Sequence, residues 1–471
     1  MSQQEDINTI SPTTGEIVTH KVGDTVEQLL EKAKISTAAF GSFQRTTLSD
    51  RKDYVGKALS WLLEHQDELA DSLTKEMGRP RAYTAGEVTT AVKRANYLLG
   101  VSDAALTSTE GEPEKGFRRF IEKVPVGPVL VIFPWNYPYL TLVNSLVPAL
   151  LAGNTVIIKP SPQTPSVAGY VAKAFASAGL PENVLQVVHC GSPKTLESLV
   201  RDPQIKHICF TGSLEGGLAV QKKASERIVD VGLELGGNDP AYVRNDVDVA
   251  WAAEEIVDGA IFNSGQSCCA IERVYVHKDV YDDFLKAVQR VLSQYRVGEP
   301  SDLQTQIGPV ISKAAQARIQ AQIEDAIKAG AEDATPSNPS FQNLDEKFPG
   351  GSFVRPTLLV NVNHDMVVMK EETFGPVIPV MKVSGDDEAV ELMNDSDLGL
   401  TASIWSKDEQ GAYALSRRVE AGTVFVNRAD YPSPDLAWTG WKNSGKGVTL
   451  SKYGFDQFVK LKSYHLKDYP K

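Results

Sequence analysis

The chain has 471 residues, with 48 basic and 60 acidic side chains and a formal net charge of −12. This acidic balance argues against broad contact with nucleic acid or an anionic membrane, where lysine and arginine must face phosphate. No apolar run is long enough for a membrane span, since Asn144, Ser145 and Pro148 interrupt the richest stretch. The first residues lack the pattern of a signal peptide and the last match no retention signal. Four cysteines form no disulfide framework, so the composition predicts a soluble, cytoplasmic, multidomain protein.

Short apolar runs alternate with helix-length segments between Thr155 and Gly237. Strands that alternate with helices in this way predict an α/β fold with a parallel, doubly wound sheet. The predicted elements are, in order, Thr155–Ile158, Pro165–Ala178, Val184–Val188, Pro193–Val200, Lys206–Phe210, Leu214–Ser225 and Ile228–Glu234.

Helices are predicted before this block, and a second α/β block is predicted after it. The early helices are Thr25–Phe40, Ser49–Leu73 and Ala82–Leu99, followed by a hairpin strand at Phe117–Val124. The later elements are Val249–Ile261, Arg273–His277, Val280–Leu292, Ala314–Ala329, Thr401–Trp405, Glu409–Glu420 and Thr423–Asn427. The polar stretch between Gly330 and Phe353 reads as a surface loop.

Two adjacent cysteines, Cys268 and Cys269, follow a glycine-containing loop that begins at Asn263. Adjacent cysteines rarely bridge each other, so the pair is expected to be free thiols. A buried structural cysteine is the alternative interpretation. No metal site is predicted, because the seven histidines lack ligand spacing.

Three other motifs lie at the ends of predicted strands. Glu234 ends a strand before two glycines, 34 residues ahead of Cys268, and is either a reacting carboxylate or a surface one. Asn136 follows the strand at Val129–Phe133, where an amide N–H can stabilise an oxyanion. Gly212 and Ser213 open a helix whose N-terminus suits a phosphate, although the motif is not the usual dinucleotide fingerprint.

Taken together, these motifs resemble the aldehyde dehydrogenase superfamily. The resemblance runs from about Thr9 to Ser463, in a general form that is succinate-semialdehyde dehydrogenase-like. It rests on Pro134-Trp-Asn-Tyr-Pro, Lys159-Pro-Ser, Phe210-Thr-Gly-Ser, Glu234-Leu-Gly-Gly, Gly265-Gln-Ser-Cys and Glu372-Thr-Phe-Gly-Pro.

The resemblance implies a catalytic set of three residues. Cys268 matches the nucleophile, which attacks an aldehyde to give a thiohemiacetal and, after hydride loss, a thioester. Asn136 matches the oxyanion-hole amide, and Glu234 matches the base that activates water to release the acid. Cys269 has no separate role and is expected to line the pocket.

The resemblance also implies an NAD(P) site. Its expected residues are Trp135, Lys159, Ser161, Gly212, Ser213, Leu235, Glu372 and Phe374. Many NAD-preferring members carry Lys-Pro-Ser-Glu, whereas this chain has Pro162 at the fourth position. Proline neither binds the ribose hydroxyls nor repels a 2′-phosphate, so NADP is expected to be accepted and slightly favoured over NAD.

The expected substrate pocket comprises Tyr137, Asn144, Phe262 and Trp438. Succinate-semialdehyde enzymes typically place arginines where this chain has Asn144 and Phe262, and neither side chain pairs with a carboxylate as an arginine does. Arg428 is a candidate replacement, or a solvated surface arginine. With Tyr431, these residues favour a neutral aromatic or medium aliphatic aldehyde. The alternatives are succinate-semialdehyde oxidation, a CoA-acylating enzyme, which Glu234 argues against, and a non-catalytic relative.

The resemblance implies an aldehyde dehydrogenase-like fold with a Rossmann-like cofactor domain, an α/β catalytic domain and a small β oligomerisation element. The expected ranges are 1–113 and 126–235 for the cofactor domain, 236–436 for the catalytic domain, and 114–125 with 452–471 for the oligomerisation element. A homodimer or a homotetramer is expected, and the sequence does not distinguish between the two. It also does not identify the physiological aldehyde.

Overall fold

Two large sheets and a smaller third sheet organise the chain, whose computed structural model describes residues 5–469. The strands are β1 Asp6–Ile10, β2 Ile17–Val22, β3 Thr109–Glu110, β4 Phe117–Pro125, β5 Val129–Ile132, β6 Val156–Lys159, β7 Leu185–Val187, β8 His207–Thr211, β9 Asp230–Glu234, β10 Asp239–Val243, β11 Ile271–His277, β12 Glu332–Asp333, β13 Thr357–Val360, β14 Val377–Val383, β15 Leu398–Gly399, β16 Thr401–Trp405, β17 Thr423–Val426, β18 Trp441–Lys442, β19 Gly445–Lys446 and β20 Val459–Lys467. The α-helices are α1 Val26–Phe43, α2 Leu48–Glu64, α3 Gln66–Met77, α4 Arg81–Leu106, α5 Pro138–Leu151, α6 Ser166–Ser177, α7 Pro193–Arg201, α8 Leu214–Ala224, α9 Val249–Ile261, α10 Tyr281–Leu292, α11 Lys313–Lys328, α12 Leu344–Lys347, α13 Val367–Lys370, α14 Asp386–Asn394 and α15 Glu409–Ser416.

The first large sheet has the order β19-β9-β8-β5-β6-β7. Its strands pair in parallel except at the edge, where β19 runs antiparallel to β9. Both faces are covered, and all four residues of β5 are buried, as expected for a parallel sheet. The predicted α/β block is confirmed, and the carboxyl ends of β5, β8 and β9 bring three of the sequence motifs to one edge.

The second large sheet has the order β12-β13-β14-β11-β10-β16-β17. Only β12 is antiparallel to its neighbour. Helix α9 packs on one face through its apolar side, and its N-terminus is capped by Asp248, whose side chain accepts the Trp251 N–H. This sheet carries the cysteine loop between α9 and β11.

The third sheet is antiparallel, with the order β20-β4-β3. Strand β20 pairs with β4 from Val459 opposite Pro125 to Lys467 opposite Phe117. Strand β20 lies at the edge of the sheet, where Leu461 and Leu466 are exposed. The predicted domain limits stay predictions. Residues 1–4 and 470–471 lie outside the described part of the chain, and the predictions about a signal peptide and a retention signal fall partly on them.

Two predicted elements differ from the structure. The segment Ser49–Leu73 is not one helix, because the chain turns at His65 (φ −108°, ψ 13°) between α2 and α3. The stretch between Gly330 and Phe353 is not a plain loop, since it contains β12, α12 and a 3₁₀ turn at Pro339–Phe341 whose Phe341 is buried. Within residues 5–469, no helix has the length and apolar character needed to cross a membrane.

Candidate active site

A strained turn presents the cysteine pair. After α9 ends, Asn263 and Ser264 take the left-handed region (φ 54° and 59°), and Gly265 follows at φ 72°. Side chains other than glycine rarely adopt such angles, so this turn stores strain that its surroundings must hold. A Cβ on Gly265 would collide with the carbonyl of Gly375, so glycine is required there.

The two cysteines differ in exposure and partners. Cys268 is partly exposed, whereas Cys269 is buried and its thiol donates to Asp430 Oδ1 at 2.9 Å. Ser267 Oγ donates to the same oxygen at 2.8 Å. A hydrogen bond with Cys268, and then burial, raise the pKa of Cys269 well above its usual range. The site therefore holds Cys269 as a thiol, which leaves Cys268 as the accessible sulfur.

Asn136 lies beside this turn, after β5. Its Nδ2 donates to the carbonyl of Gln266 at 3.1 Å, two residues before Cys268. The Asn136 backbone carbonyl accepts a bond from Arg79 Nη2 at 2.5 Å, and Arg79 Nε donates to Asn263 Oδ1 at 3.0 Å. Arg79 thus links the Asn136 backbone to the strained turn.

Glu234 ends β9 and is half-buried. Thr449 Oγ1 donates to Oε1, and Thr211 Oγ1 lies 3.4 Å from Oε2. Burial raises the pKa of Glu234, and the bond from Thr449 and the charge of Arg94 oppose this increase. The segment after Glu234 passes the cysteine loop, because a Cβ on Gly237 would contact the carbonyl of Cys268.

A groove of about 470 Å³ lies over the start of α8. Its lining includes Lys159, Pro162 and Ser213, three residues that the sequence assigned to the cofactor region. Ser213 caps α8 by accepting the Gly216 N–H, so the positive end of the helix faces this groove. A Cβ on Gly212 would meet the Phe210 ring. The Lys159 cation, the N-terminus of α8 and the lack of a side chain at Gly212 together fit a dinucleotide.

A second group of predicted cofactor residues, Glu372 and Phe374, lies beside the glycines that follow Glu234. Glu372 Oε1 accepts the Gly237 N–H at 3.2 Å, and burial raises the pKa of Glu372 to about 7. Glu272 holds this segment by accepting the N–H groups of Thr373 and Phe374, both at 2.7 Å. The absence of a Cβ at Gly236 leaves room for the Glu372 carboxylate.

The other predicted cofactor residues have defined places. Trp135 packs edge-on against Phe374, with ring centroids 5.7 Å apart. Leu235 is buried against Gly217. The Ser161 hydroxyl accepts the Gln163 N–H at 3.2 Å, which stabilises the turn after Lys159.

The predicted substrate residues surround the cysteines unevenly. Trp438 is buried and packs with Cys268 and Cys269, and a cavity of about 170 Å³ lies between it and Tyr431. Tyr137 lies near Cys269, and its buried hydroxyl has no hydrogen-bond partner among the described residues. Phe262 stacks edge-on against Tyr83, at 5.1 Å between centroids. The remaining predicted residue, Asn144, has its side chain engaged by Arg94.

Sequence reasoning missed several residues of this site, namely Arg79, Glu87, Arg94, Asp430 and Thr449. One signal was available for two of them, because Glu87, Ala91, Arg94 and Leu98 follow helical spacing on α4. Charged residues on an otherwise apolar helix face indicate buried charges with a specific role.

The model of the aldehyde dehydrogenase family matches residues 1–464. An aldehyde dehydrogenase of Paenarthrobacter nicotinovorans is 35% identical over 97% of this chain and 99% of its own. The D-glyceraldehyde dehydrogenase (NADP⁺) of Picrophilus torridus is 32% identical over 99% of this chain and 94% of its own.

The solved structures include a succinic semialdehyde dehydrogenase from Streptococcus pyogenes in complex with NADP⁺. It superimposes with a TM-score of 0.92 at 28% identity, covering 98% of this chain and all (100%) of the other. The expected fold is thereby confirmed, and the chain belongs to the aldehyde dehydrogenase family, whose members are NAD(P)-dependent enzymes.

Proposed function

We propose that the chain oxidises an aldehyde to its carboxylic acid through covalent attachment to Cys268. The observation that carries this proposal is the arrangement around one accessible thiol. The amide of Asn136 reaches the loop just before Cys268, and the segment after Glu234 passes the Cys268 carbonyl.

The Cys268 thiolate attacks the aldehyde carbon, and the carbonyl oxygen becomes an oxyanion. Asn136 Nδ2 and the Cys268 backbone N–H are the donors for this oxyanion, a role that typically contributes about 2.7–4 kcal/mol to transition-state stabilisation. Lys159 and Ser213 would hold NAD(P), which would supply the acceptor for the hydride that leaves the former aldehyde carbon. Cys268 then carries a thioester.

Glu234 takes a proton from the water that attacks the thioester carbon. Loss of the thiolate gives the acid and restores Cys268. The burial that raises the pKa of Glu234 brings this carboxylate closer to the range in which a general base is effective.

The groove beside α8 supports NADP as an accepted, slightly favoured cofactor. Lys159 and Pro162 line it, and neither repels a 2′-phosphate. Lys223 also lines it but is paired with Glu197 at 3.2 Å. The test compares kcat/KM for NADP and NAD in the parent and in Pro162→Glu. The variant is expected to lose NADP activity selectively, and a strong NAD preference of the parent would overturn the proposal.

The aromatic walls support a neutral aromatic or medium aliphatic substrate. Trp438 and Tyr431 border a cavity of about 170 Å³, and Trp438 also packs against the two cysteines. Succinate semialdehyde is the alternative. A panel of aliphatic, aromatic and semialdehyde substrates decides between them, and a clear preference for succinate semialdehyde would contradict the neutral assignment.

The same assay tests the reaction class. The parent is expected to form both NAD(P)H and acid without CoA, whereas Cys268→Ala forms neither. Glu234→Gln is expected to give one rapid turnover of NAD(P)H followed by slow acid release. A strict requirement for CoA would indicate the acylating class. If the parent oxidises no aldehyde while Cys268→Ala still binds the cofactor, the chain is a non-catalytic relative.

The free edge of β20 supports a homodimer or homotetramer. This strand exposes unpaired backbone groups together with Leu461 and Leu466, a combination that favours pairing with a second copy. Light scattering coupled to size exclusion is expected to give two or four chains. A monomer at working concentration would refute this assembly.

A further inference from the structure

The side chain of Thr449 is the most direct partner of the Glu234 carboxylate. Its Oγ1 donates to Glu234 Oε1, whereas the second donor, Thr211 Oγ1, lies 3.4 Å from Oε2. Thr449 is only 6% exposed, so water does not compete freely for its hydroxyl. A hydrogen bond to an ionised group is stronger than one between neutral groups, and burial strengthens it further. The proton affinity of Glu234 therefore depends strongly on this one hydroxyl.

The backbone around Thr449 fixes the position of the hydroxyl. Thr449 and Trp438 exchange both of their backbone hydrogen bonds, at 2.8 and 2.9 Å. The next two residues, Leu450 and Ser451, take the left-handed region (φ 59° and 49°), which side chains other than glycine rarely adopt. Leu450 is fully buried in one apolar cluster with Trp438, and Cys268 packs against that cluster. One short segment thus contacts both the carboxylate and the cysteine loop.

Gln457 also anchors this segment. Its Nε2 donates to the Val448 carbonyl at 3.0 Å. Its Oε1 accepts from His207 Nε2 at 3.1 Å, because an amide oxygen can only accept. Burial lowers the pKa of His207 to about 4, so the ring is neutral at neutral pH. Val448, the residue before Thr449, is therefore tied to β8, which pairs with the strand that ends at Glu234.

A cavity of about 10 Å³ lies beside this contact. Its lining includes Glu234, Thr211, Thr449 and Gln457. The volume is at the lower limit for one water molecule and is far too small for an aldehyde. In this cavity Thr449 cannot touch a substrate, so its effect on the reaction passes through Glu234.

Three titratable groups face Glu234 in addition to the hydroxyls. Burial raises the pKa of Glu234, and the bond from Thr449, followed by the charge of Arg94 on α4, opposes this increase. Lys446 on β19 and Cys209 on β8 line the small cavity. Burial raises the pKa of Cys209 to about 12, so this group is a neutral thiol. A Thr449 variant leaves all three groups in place, so a changed titration reports the loss of the hydroxyl.

We propose that Thr449 is a positioning residue that holds the Glu234 carboxylate ready for hydrolysis of the thioester and takes no part in hydride transfer. This inference rests on the proposed function. In the step concerned, water attacks the thioester carbon and gives one proton to Glu234, and the carbon–sulfur bond breaks as Cys268 leaves as a thiolate. Without the hydroxyl, Glu234 is protonated over a wider pH range and accepts no proton there.

A single-turnover experiment separates the two steps. Enzyme saturated with NAD(P) is mixed with a smaller amount of benzaldehyde or butanal, and the absorbance of NAD(P)H follows hydride transfer. Samples quenched with acid are analysed by intact-mass spectrometry, which gives the fraction of the chain that carries the acyl group and hence the rate of hydrolysis. Both rate constants are recorded between about pH 6 and about pH 9.

Thr449→Val keeps the shape of the side chain and removes the donor. Its rate constant for hydride transfer is expected to stay within about twofold of the parent, while hydrolysis near neutral pH slows by about tenfold or more, the effect typical of one bond to a charged group. The acidic limb of the hydrolysis profile is expected to move up by about one pH unit, which corresponds to a tenfold change in proton affinity. Thr449→Ser keeps the hydroxyl and is expected to restore both the rate and the limb.

Thr439→Val is the matched control. Thr439 lines the same cavity, and its Oγ1 donates to the Gly447 carbonyl at 2.8 Å. Loss of that bond perturbs the same segment without removing a donor from the carboxylate, so the hydrolysis profile is expected to match that of the parent. If Thr449→Val does not fold, Thr449→Ala carries the test with the same expected result.

Three results would overturn the inference. The first is a Thr449→Val variant that hydrolyses the thioester with the rate and pH profile of the parent. The second is a variant that slows both steps to the same extent, as a purely structural role would require. The third is a Thr449→Ser variant that restores neither the rate nor the limb. A parent that oxidises neither aldehyde would instead refute the proposed function.

Discussion

The buried pair Arg79–Glu87 gives the sharpest prediction about how the site is held. Both side chains are 1% exposed, and Arg79 also donates to Asn136 and Asn263. Arg79→Met leaves Glu87 buried without its counter-charge. Breaking one partner of a buried pair typically costs about 3–5 kcal/mol of unfolding free energy. We expect that loss, together with a kcat reduced by about tenfold or more because the oxyanion amide is no longer held.

A double variant separates stability from catalysis. Arg79→Met with Glu87→Gln removes both charges and keeps an oxygen for the Tyr139 N–H, which donates to Glu87 Oε1 at 2.9 Å. Most of the stability is expected to return, because an uncharged replacement for a buried pair is often nearly neutral. The kcat is not expected to return, because Asn136 and Asn263 still lack their donor.

The pH dependence gives an independent check. Burial raises the pKa of Glu87, and in Arg79→Met this carboxylate must take up a proton on folding. The folded state then binds more protons than the unfolded state above the ordinary carboxylate pKa, so stability falls as pH rises. The loss caused by Arg79→Met is therefore expected to be smaller at pH 5.5 than at pH 7.

Equilibrium urea unfolding and steady-state kinetics measure these effects. Arg81→Met is the control, because Arg81 pairs at 2.8 Å with the exposed Asp67, and a surface pair contributes about 1 kcal/mol or less. The reasoning would be refuted if Arg79→Met lost no more stability than Arg81→Met. Recovery of kcat in the double variant would show that Arg79 does not position Asn136.

Three further predictions concern the reacting loop. Asn136→Ala is expected to lower kcat by about 100- to 1000-fold with unchanged cofactor affinity, and stopped-flow kinetics with cofactor titration tests both parts. Cys269→Ala is expected to retain most of the activity that Cys268→Ala loses, and equal loss in NAD(P)H assays would contradict the assignment of Cys268. Burial raises the pKa of Asp430 to about 6, so stability is expected to fall as pH rises from about 4 to about 6. Asp430→Asn is expected to remove this dependence of the unfolding free energy on pH. Urea unfolding between pH 4 and about pH 6 measures it, and a dependence that persists in the variant would show that another group causes it.

Elements whose bounds the sequence predicted well can carry a local signal at their ends, such as a capping residue. Helix α9, Val249–Ile261, has the predicted bounds because Asp248 caps its start. Strand β16, Thr401–Trp405, likewise has the predicted bounds. The predicted helix Ser49–Leu73 was wrong because the apolar spacing continues across the turn at His65. Spacing reports which faces are buried, and it does not report where the axis changes direction.

The candidate site was predictable where a motif lies on one segment and unpredictable where distant segments meet. The loop with Cys268 and the end of β9 with Glu234 carry their own turn residues. Asp430 reaches Cys269 from 161 positions further along the chain, and Arg94 meets Asn144 across 50 positions. No local pattern relates such pairs, because their proximity results from packing between elements.

The two buried arginines show how a partner decides the role of a charge. Arg79 forms an ion pair with Glu87 and contacts the site directly, through the Asn136 backbone carbonyl and the Asn263 side chain. Arg94 is held by neutral oxygens, so its field extends to the reacting groups, which respond to it. Removing Arg79 leaves a buried carboxylate without its ion-pair partner, whereas removing Arg94 leaves neutral acceptors without a donor and removes a charge that opposes the raised pKa of Glu234. The same residue type therefore acts mainly through its contacts where a carboxylate pairs with it, and through its charge on Glu234 where only neutral oxygens hold it.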